Sequence, residues 1–185
     1  MTTPDRQAAA AAIDAFLRAL GVASEETAGT GERVAQMFAE DLCAGYAVDT
    51  KALVEGAVID VSRPSLVVVR DVAVTTTCPH HLLPSMGRAT VAFKATTRAI
   101  GLGAVAALVD AHARRLALQE HIGEGVVDDL DACLRPDWVG CRLVLAHGCM
   151  IARGERAIGT TVETVALRGP PDRVSEAHRA LGVGA

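Results

Sequence analysis

The sequence predicts an α+β fold in which an antiparallel sheet is covered by helices on one face. Three observations carry that expectation. The chain reads in order as helix, helix, strand, strand, helix pair, strand, strand, helix. Residues 139–146 alternate, with Val139, Cys141, Leu143 and Leu145 on one face, the pattern of a strand buried on one side. The 185 residues are half hydrophobic, enough for one real core and short for two. We therefore read 1–185 as a single domain, with N-terminal helices over 1–50, a sheet-containing core over 51–169 and a C-terminal helix over 170–185.

The elements follow in turn. Residues 5–20 carry Ile13, Phe16, Leu17 and Leu20 at helical spacing and stop at Gly21. A second helix fits 30–46, with Thr30 as its cap, Val34, Met37, Phe38 and Leu42 inward, and Arg33, Gln36 and Glu40 outward. Residues 66–77 form an unbroken, largely β-branched run and read as a strand. A second strand spans 87–94, with Pro84 and Ser85 as turn material before it. Over 102–134 alanine, leucine and charges recur at helical period, with an interruption expected at Gly123 and Gly125. Alternation resumes over 139–146 and 158–167, and 170–181 closes with a short helix.

Charge and composition exclude several classes. A net charge of −4, no basic run and 3% aromatics argue against a nucleic-acid surface or a base-stacking platform. No apolar run approaches the roughly 20 residues of a membrane span. The first fourteen residues lack the basic and long apolar regions of a secretory leader, so the expected compartment is the cytoplasm. Five cysteines in that setting stay reduced, which favours metal or catalytic use over a disulfide framework.

One constellation carries chemistry. Thr77-Cys78-Pro79-His80-His81 ends a predicted strand, and Cys78 and His81 are spaced so that one turn can deliver two ligands to a single ion. Cys149, in His147-Gly148-Cys149-Met150, ends another strand. Two thiolates and an imidazole suit Zn2+, and three protein ligands leave the fourth tetrahedral position for a catalytic water. His80 and His147 are left over as proton carriers beside the metal. The bland alternatives are small buried cysteines and hydrogen-bonded loop histidines. Cys43, Cys133 and Cys141 read as packing residues.

Cys78-Pro79-His80-His81, Gly101-Leu102, Arg115, Gln119-Glu120, His147-Gly148-Cys149-Met150 and Arg153-Gly154 together resemble the ordered signature of the GTP cyclohydrolase I family. Thr30-Gly31-Glu32-Arg33-Val34-Ala35 resembles that family's helical segment before the sheet, and the likeness covers about 28–169. It implies the tunnelling fold, an antiparallel four-stranded sheet backed by two antiparallel helices, assembled as a homo-oligomeric ring, a decamer, with sites between subunits. It implies Zn2+ on Cys78, His81 and Cys149, water attack at C8 of a guanine ring with formate release, and GTP conversion to 7,8-dihydroneopterin triphosphate. His80 and His147 would move protons to N7 and the ribose ring oxygen. Glu120 would hold the base edge with Gln119 beside it, and Leu102, Arg33 and Arg153 would complete the substrate site. The partners implied are a purine small molecule and further copies of the chain, with no nucleic acid or membrane.

The chain also departs from that pattern. Family members that bind GTP carry serine, lysine and arginine where this chain has Gly103, Ala104 and Ala107, and glutamate where it has Pro79. Losing two charge-assisted phosphate contacts predicts a loss on the order of 10²–10⁴ in affinity. A paralogue that opens a non-triphosphorylated guanine-like base, nucleoside or nucleotide, stopping at the ring-opened product, is therefore the second reading. A non-catalytic zinc-containing ring protein is the third.

Overall fold

A computed structural model describes residues 3–154 and 156–184. Met1 and Thr2, part of the segment read above for a leader, lie outside the described residues. Helix α1 (Arg6–Ala19) starts at Asp5, whose carboxylate accepts from the Ala8 N–H at 3.0 Å. Helix α2 (Thr30–Gln36) packs on it, and Asp14 Oδ1 accepts the Gly31 N–H at 3.1 Å. Phe16 and Leu20 of α1 remain exposed in the isolated subunit.

The expected second helix differs in two ways. Its N-cap is Gly29 in the left-handed region, with Thr30 already helical. The helix also changes pitch, widening to a π-helical stretch at Met37–Leu42 and tightening to a 3₁₀ turn at Ala44–Ala47. Gly45 then sits against the end of the later helix pair, where the Arg114 carbonyl accepts its N–H at 2.9 Å. Met37, read as inward, is exposed.

After α3 (Thr50–Glu55) come β1 (Val58–Asp60), β2 (Ser65–Thr77), β3 (Pro84–Ala95) and β4 (Arg98–Ile100). Helices α4 (Leu102–Ala113) and α5 (Gln119–Leu134) follow, then β5 (Val139–His147), the single turn α6 (Gly148–Ile151), β6 (Val162–Arg168) and α7 (Val174–Leu181). β2, β3, β5 and β6 form an antiparallel sheet in that order, and β1 pairs separately with β4. Pro84 and Ser85 belong to β3 rather than to a turn, since Ser85 pairs with both Thr76 and His147. The last strand begins at Val162, and Ile158 before it is exposed.

The helix pair breaks between Arg114 and Leu118, not at the glycines. Gly123 and Gly125 lie inside α5 for reasons of contact. A Cβ on Gly125 would stand 2.5 Å from the His112 ring of α4. Close helix approach, rather than helix termination, explains that glycine. There the His112 Nε2–H donates to Asp129 Oδ2 at 2.8 Å, joining the two helices through a mostly buried pair. Burial pushes the His112 pKa below its usual value, against the opposing pull of Asp129.

The main core lies between the helix pair and one sheet face, with Phe93, Val126, Leu130, Val139, Cys141, Leu143 and Leu145 fully buried. The other face is not bare, as the single covered face had implied. Trp138, Ala92, Ala177 and Leu181 form a second cluster, because Ala92 and Gly140 leave room for α7 to lie on the sheet.

Candidate active site

The site forms where three chain segments end together. β2 stops at Thr77, and Cys78 opens a tight loop closed at both ends: the Leu83 carbonyl accepts the Cys78 N–H at 3.0 Å and the Cys78 carbonyl accepts the Leu82 N–H at 2.9 Å. The loop is short enough to fold His80 and His81 back towards Cys78. β5 stops at His147, and α6 carries Cys149 alongside. Gly148 makes that approach possible, since a Cβ there would lie 2.5 Å from the Pro84 carbonyl oxygen. α5 starts at Gln119, anchored to the end of β2 through the Ala117 N–H and the Thr77 carbonyl at 3.3 Å.

The ligand atoms of Cys78, His81 and Cys149 all lie within 4.8 Å of one another, and Cys78 Sγ is 3.7 Å from His81 Nδ1. Tetrahedral zinc with metal–sulfur bonds of about 2.3 Å and metal–nitrogen bonds of about 2.0–2.1 Å needs neighbouring ligand atoms roughly 3.5–3.8 Å apart. The triad fits that ion after a small inward movement. Burial and the facing Cys78 sulfur raise the Cys149 pKa. Two thiolates so close repel each other, and a divalent cation between them removes that conflict. The zinc site is thus this Cys-His-Cys group, with His81 exposed, Cys149 half-buried and Cys78 buried.

A cavity of about 220 Å³ opens beside the triad, lined in part by Cys78, His80, Ser85, Gln119, Glu120, His147 and Cys149. His80 Nδ1 is 4.0 Å from Cys78 Sγ, and its ring is exposed. Glu120 is also exposed and occupies the first turn of α5, where free backbone N–H groups favour a carboxylate. Arg153 approaches from the loop after α6, with Nη1 3.3 Å from His81 Nε2.

The remaining expected residues are placed differently. Gln119 is buried, and its amide nitrogen donates to the carbonyls of Leu143 and Val162 at 3.1 and 3.0 Å while its oxygen meets His147 Nε2 at 2.8 Å. That side chain is occupied by protein partners, beside Glu120 at the start of α5. Arg33 donates to the Ala28 carbonyl and Thr30 Oγ1 on α2 and does not line the cavity. Leu102, exposed, starts α4, whose twelve residues separate it by roughly 16 Å from the helix end nearest the cavity. Arg115 holds the fold together locally. Its Nε–H is shared between the carbonyls of Gly45 and Ala111, and its guanidinium lies 5.8 Å from the Tyr46 ring centre. The sequence reading missed Ser85, whose buried hydroxyl stands 3.1 Å from His147 Nδ1. Its place between a proline and a methionine gave no signal beyond turn propensity.

The family model described as GTP cyclohydrolase I matches residues 9–181. The chain belongs to the GTP cyclohydrolase I family. It is 32% identical over 161 residues to GTP cyclohydrolase 1 of a Synechococcus species, covering 86% of this chain and 70% of that protein. It is 35% identical over 143 residues to the protein named GTP cyclohydrolase 1 2 of Pseudomonas putida, covering 77% of each. Among solved structures, the apo form of the archaeosine synthase QueF-Like covers 59% of this chain and 98% of its own, with a TM-score of 0.49 and 20% identity. Membership in the GTP cyclohydrolase I family accounts for the four-stranded sheet, the helix pair upon it and the Cys-His-Cys group. Among the described residues no helix is long and apolar enough to cross a membrane.

Proposed function

We propose that the protein is a zinc-dependent hydrolase of the GTP cyclohydrolase I type, opening the imidazole ring of a guanine nucleotide at C8 and releasing formate. The observation that carries this reading is the cavity itself, which is lined by Cys78 and Cys149 of the Cys78, His81 and Cys149 triad and by Glu120. The ion held there supplies water activation near neutral pH. Glu120 accepts the ring N–H and exocyclic amine of guanine, a two-donor pattern that few other bases offer. His80 and His147 both line the cavity and are the groups that carry protons. Arg153, beside the triad, meets the charged tail of the substrate.

Leu102 and Arg33 stand apart from this cavity within one subunit, so the site is completed by neighbouring copies in a closed ring, which we assign as a decamer. Five cysteines without a disulfide among them suit a reducing cytoplasm.

Gly103, Ala104 and Ala107 favour a second reading, in which the substrate carries no triphosphate and the product remains ring-opened. Side-by-side kinetics of the zinc-loaded protein on GTP, GMP, guanosine and guanine, with formate and pterin fluorescence as readouts, separate the two. A preference for GTP of a hundredfold or more with pterin formation supports the first; equal kcat/KM for guanosine with no pterin supports the second. Full zinc with no formate from any of the four would leave a non-catalytic ring protein.

A further inference from the structure

We infer that Ser85 is a positioning residue that, together with Gln119, holds His147 in a single tautomer with its proton on Nε2. The geometry stands on hydrogen bonds within the chain, and only the catalytic consequence rests on the proposed ring-opening reaction.

Gln119 decides the orientation. Its amide nitrogen lies 3.1 Å from the Leu143 carbonyl oxygen and 3.0 Å from that of Val162. Carbonyl oxygens only accept, so the NH₂ group must face them, and both of its hydrogens are used there. The amide cannot be turned over without setting oxygen against two oxygens. Gln119 Oε1 therefore points at His147, 2.8 Å from Nε2, and it too can only accept. His147 Nε2 consequently carries the hydrogen.

In the neutral ring Nδ1 is then a bare lone pair. Ser85 Oγ stands 3.1 Å away, and its O–H is the donor that Nδ1 requires. Ser85 is 1% exposed, so its hydroxyl has no bulk solvent to bond instead. Its placement comes from the sheet, because Ser85 of β3 is the direct cross-strand partner of His147 at the end of β5. Two buried groups thus engage the imidazole at both nitrogens and fix its plane, and a proton exchanged with the cavity passes at Nδ1 through the Ser85 hydroxyl, which lines that cavity as His147 does.

Removing the hydroxyl leaves Nδ1 unpartnered and the ring held at one end only. Ser85→Ala should then lower kcat by about tenfold or more while KM for the best substrate changes less than about threefold, since the loss falls on a proton carrier and not on binding. Ser85→Thr, which keeps a hydroxyl on Cβ, should recover most of that loss.

The experiment combines three readouts on the zinc-loaded proteins: steady-state kinetics, metal content and nitrogen-15 NMR of the His147 ring. The expected result is an Nε2–H tautomer in the natural protein, a mixture or loss of that signature in Ser85→Ala, unchanged zinc, and the fall in kcat restored by threonine. An Nδ1–H tautomer in the natural protein overturns the inference. So does Ser85→Ala with unaltered kcat and spectrum, or with a fall in kcat matched by an equal loss of zinc. If no guanine substrate turns over, the functional reading fails by itself, and the ring spectra of the natural protein and of Ser85→Ala still decide the tautomer assignment.

Discussion

Replacing Gly148 by alanine tests whether the metal site depends on one close backbone approach. A Cβ at this position would lie 2.5 Å from the Pro84 carbonyl oxygen, closer than real Cβ contacts by at least about half an ångström. Neither partner can yield cheaply. Pro84 opens β3 opposite Thr77, and Gly148 precedes Cys149 in a four-residue turn. The displacement therefore falls on Cys149, whose sulfur has a tolerance of about 0.2 Å around an ion. Overpacking of this kind destabilises by about 1–3 kcal/mol. Zinc affinity should fall by about ten- to a hundredfold, the range seen when the support of a metal ligand is disturbed. Competition with a chromogenic chelator measures the affinity, and thermal melting with and without zinc divides ligand displacement from general strain. Native zinc affinity with an unchanged Tm would refute the reasoning, because the 2.5 Å approach would then have relaxed without moving Cys149.

Other expected outcomes bear on separate parts of the molecule. Glu120→Gln should reduce kcat/KM at least about tenfold, since its NH₂ would face a donor on the base; unchanged kinetics would make Glu120 a surface charge. His112 has a folded pKa below its usual 6.5, so its neutral form contributes stability in full above that value, and the contribution is lost as pH falls below it. Thermal melting from about pH 7.5 down to about 5.5 should therefore show a steeper loss in the natural protein than in His112→Gln, and equal slopes would contradict the burial argument. Light scattering at micromolar concentration should give a closed ring, and a fully active monomer would exclude a site shared between subunits.

Much of this architecture was legible because its signals are local. The alternation of Val139, Cys141, Leu143 and Leu145 maps directly onto the buried face of β5. Cys78, His81 and Cys149 could be grouped because each stands at or just past a strand end. The misplaced break in the helix pair has a different origin. Gly125 looks like a terminator along the chain, and only the His112 ring on the neighbouring helix explains it. The same holds for Ser85 and Gln119, whose partners come from across the sheet, and for β1, β4 and α3, which are too short to show a period. Arg33 and Leu102 match the family by motif, but their distance from the cavity is a property of the assembled fold.

Gln119 ties two kinds of durability together. Its amide bonds β5 through Leu143 and the outermost strand through Val162, and the same side chain grips His147. β6 has a single neighbour in the sheet, and segments with fewer contacts open at lower free energy than the core. Once β6 lifts, Gln119 loses one of the two carbonyls that fix its orientation, and the histidine is freed while the core beneath α4 and α5 is still intact. Heat inactivation should accordingly precede melting, and whatever shields the outer edge of β6 should raise the temperature at which catalysis fails more than the temperature at which the protein unfolds.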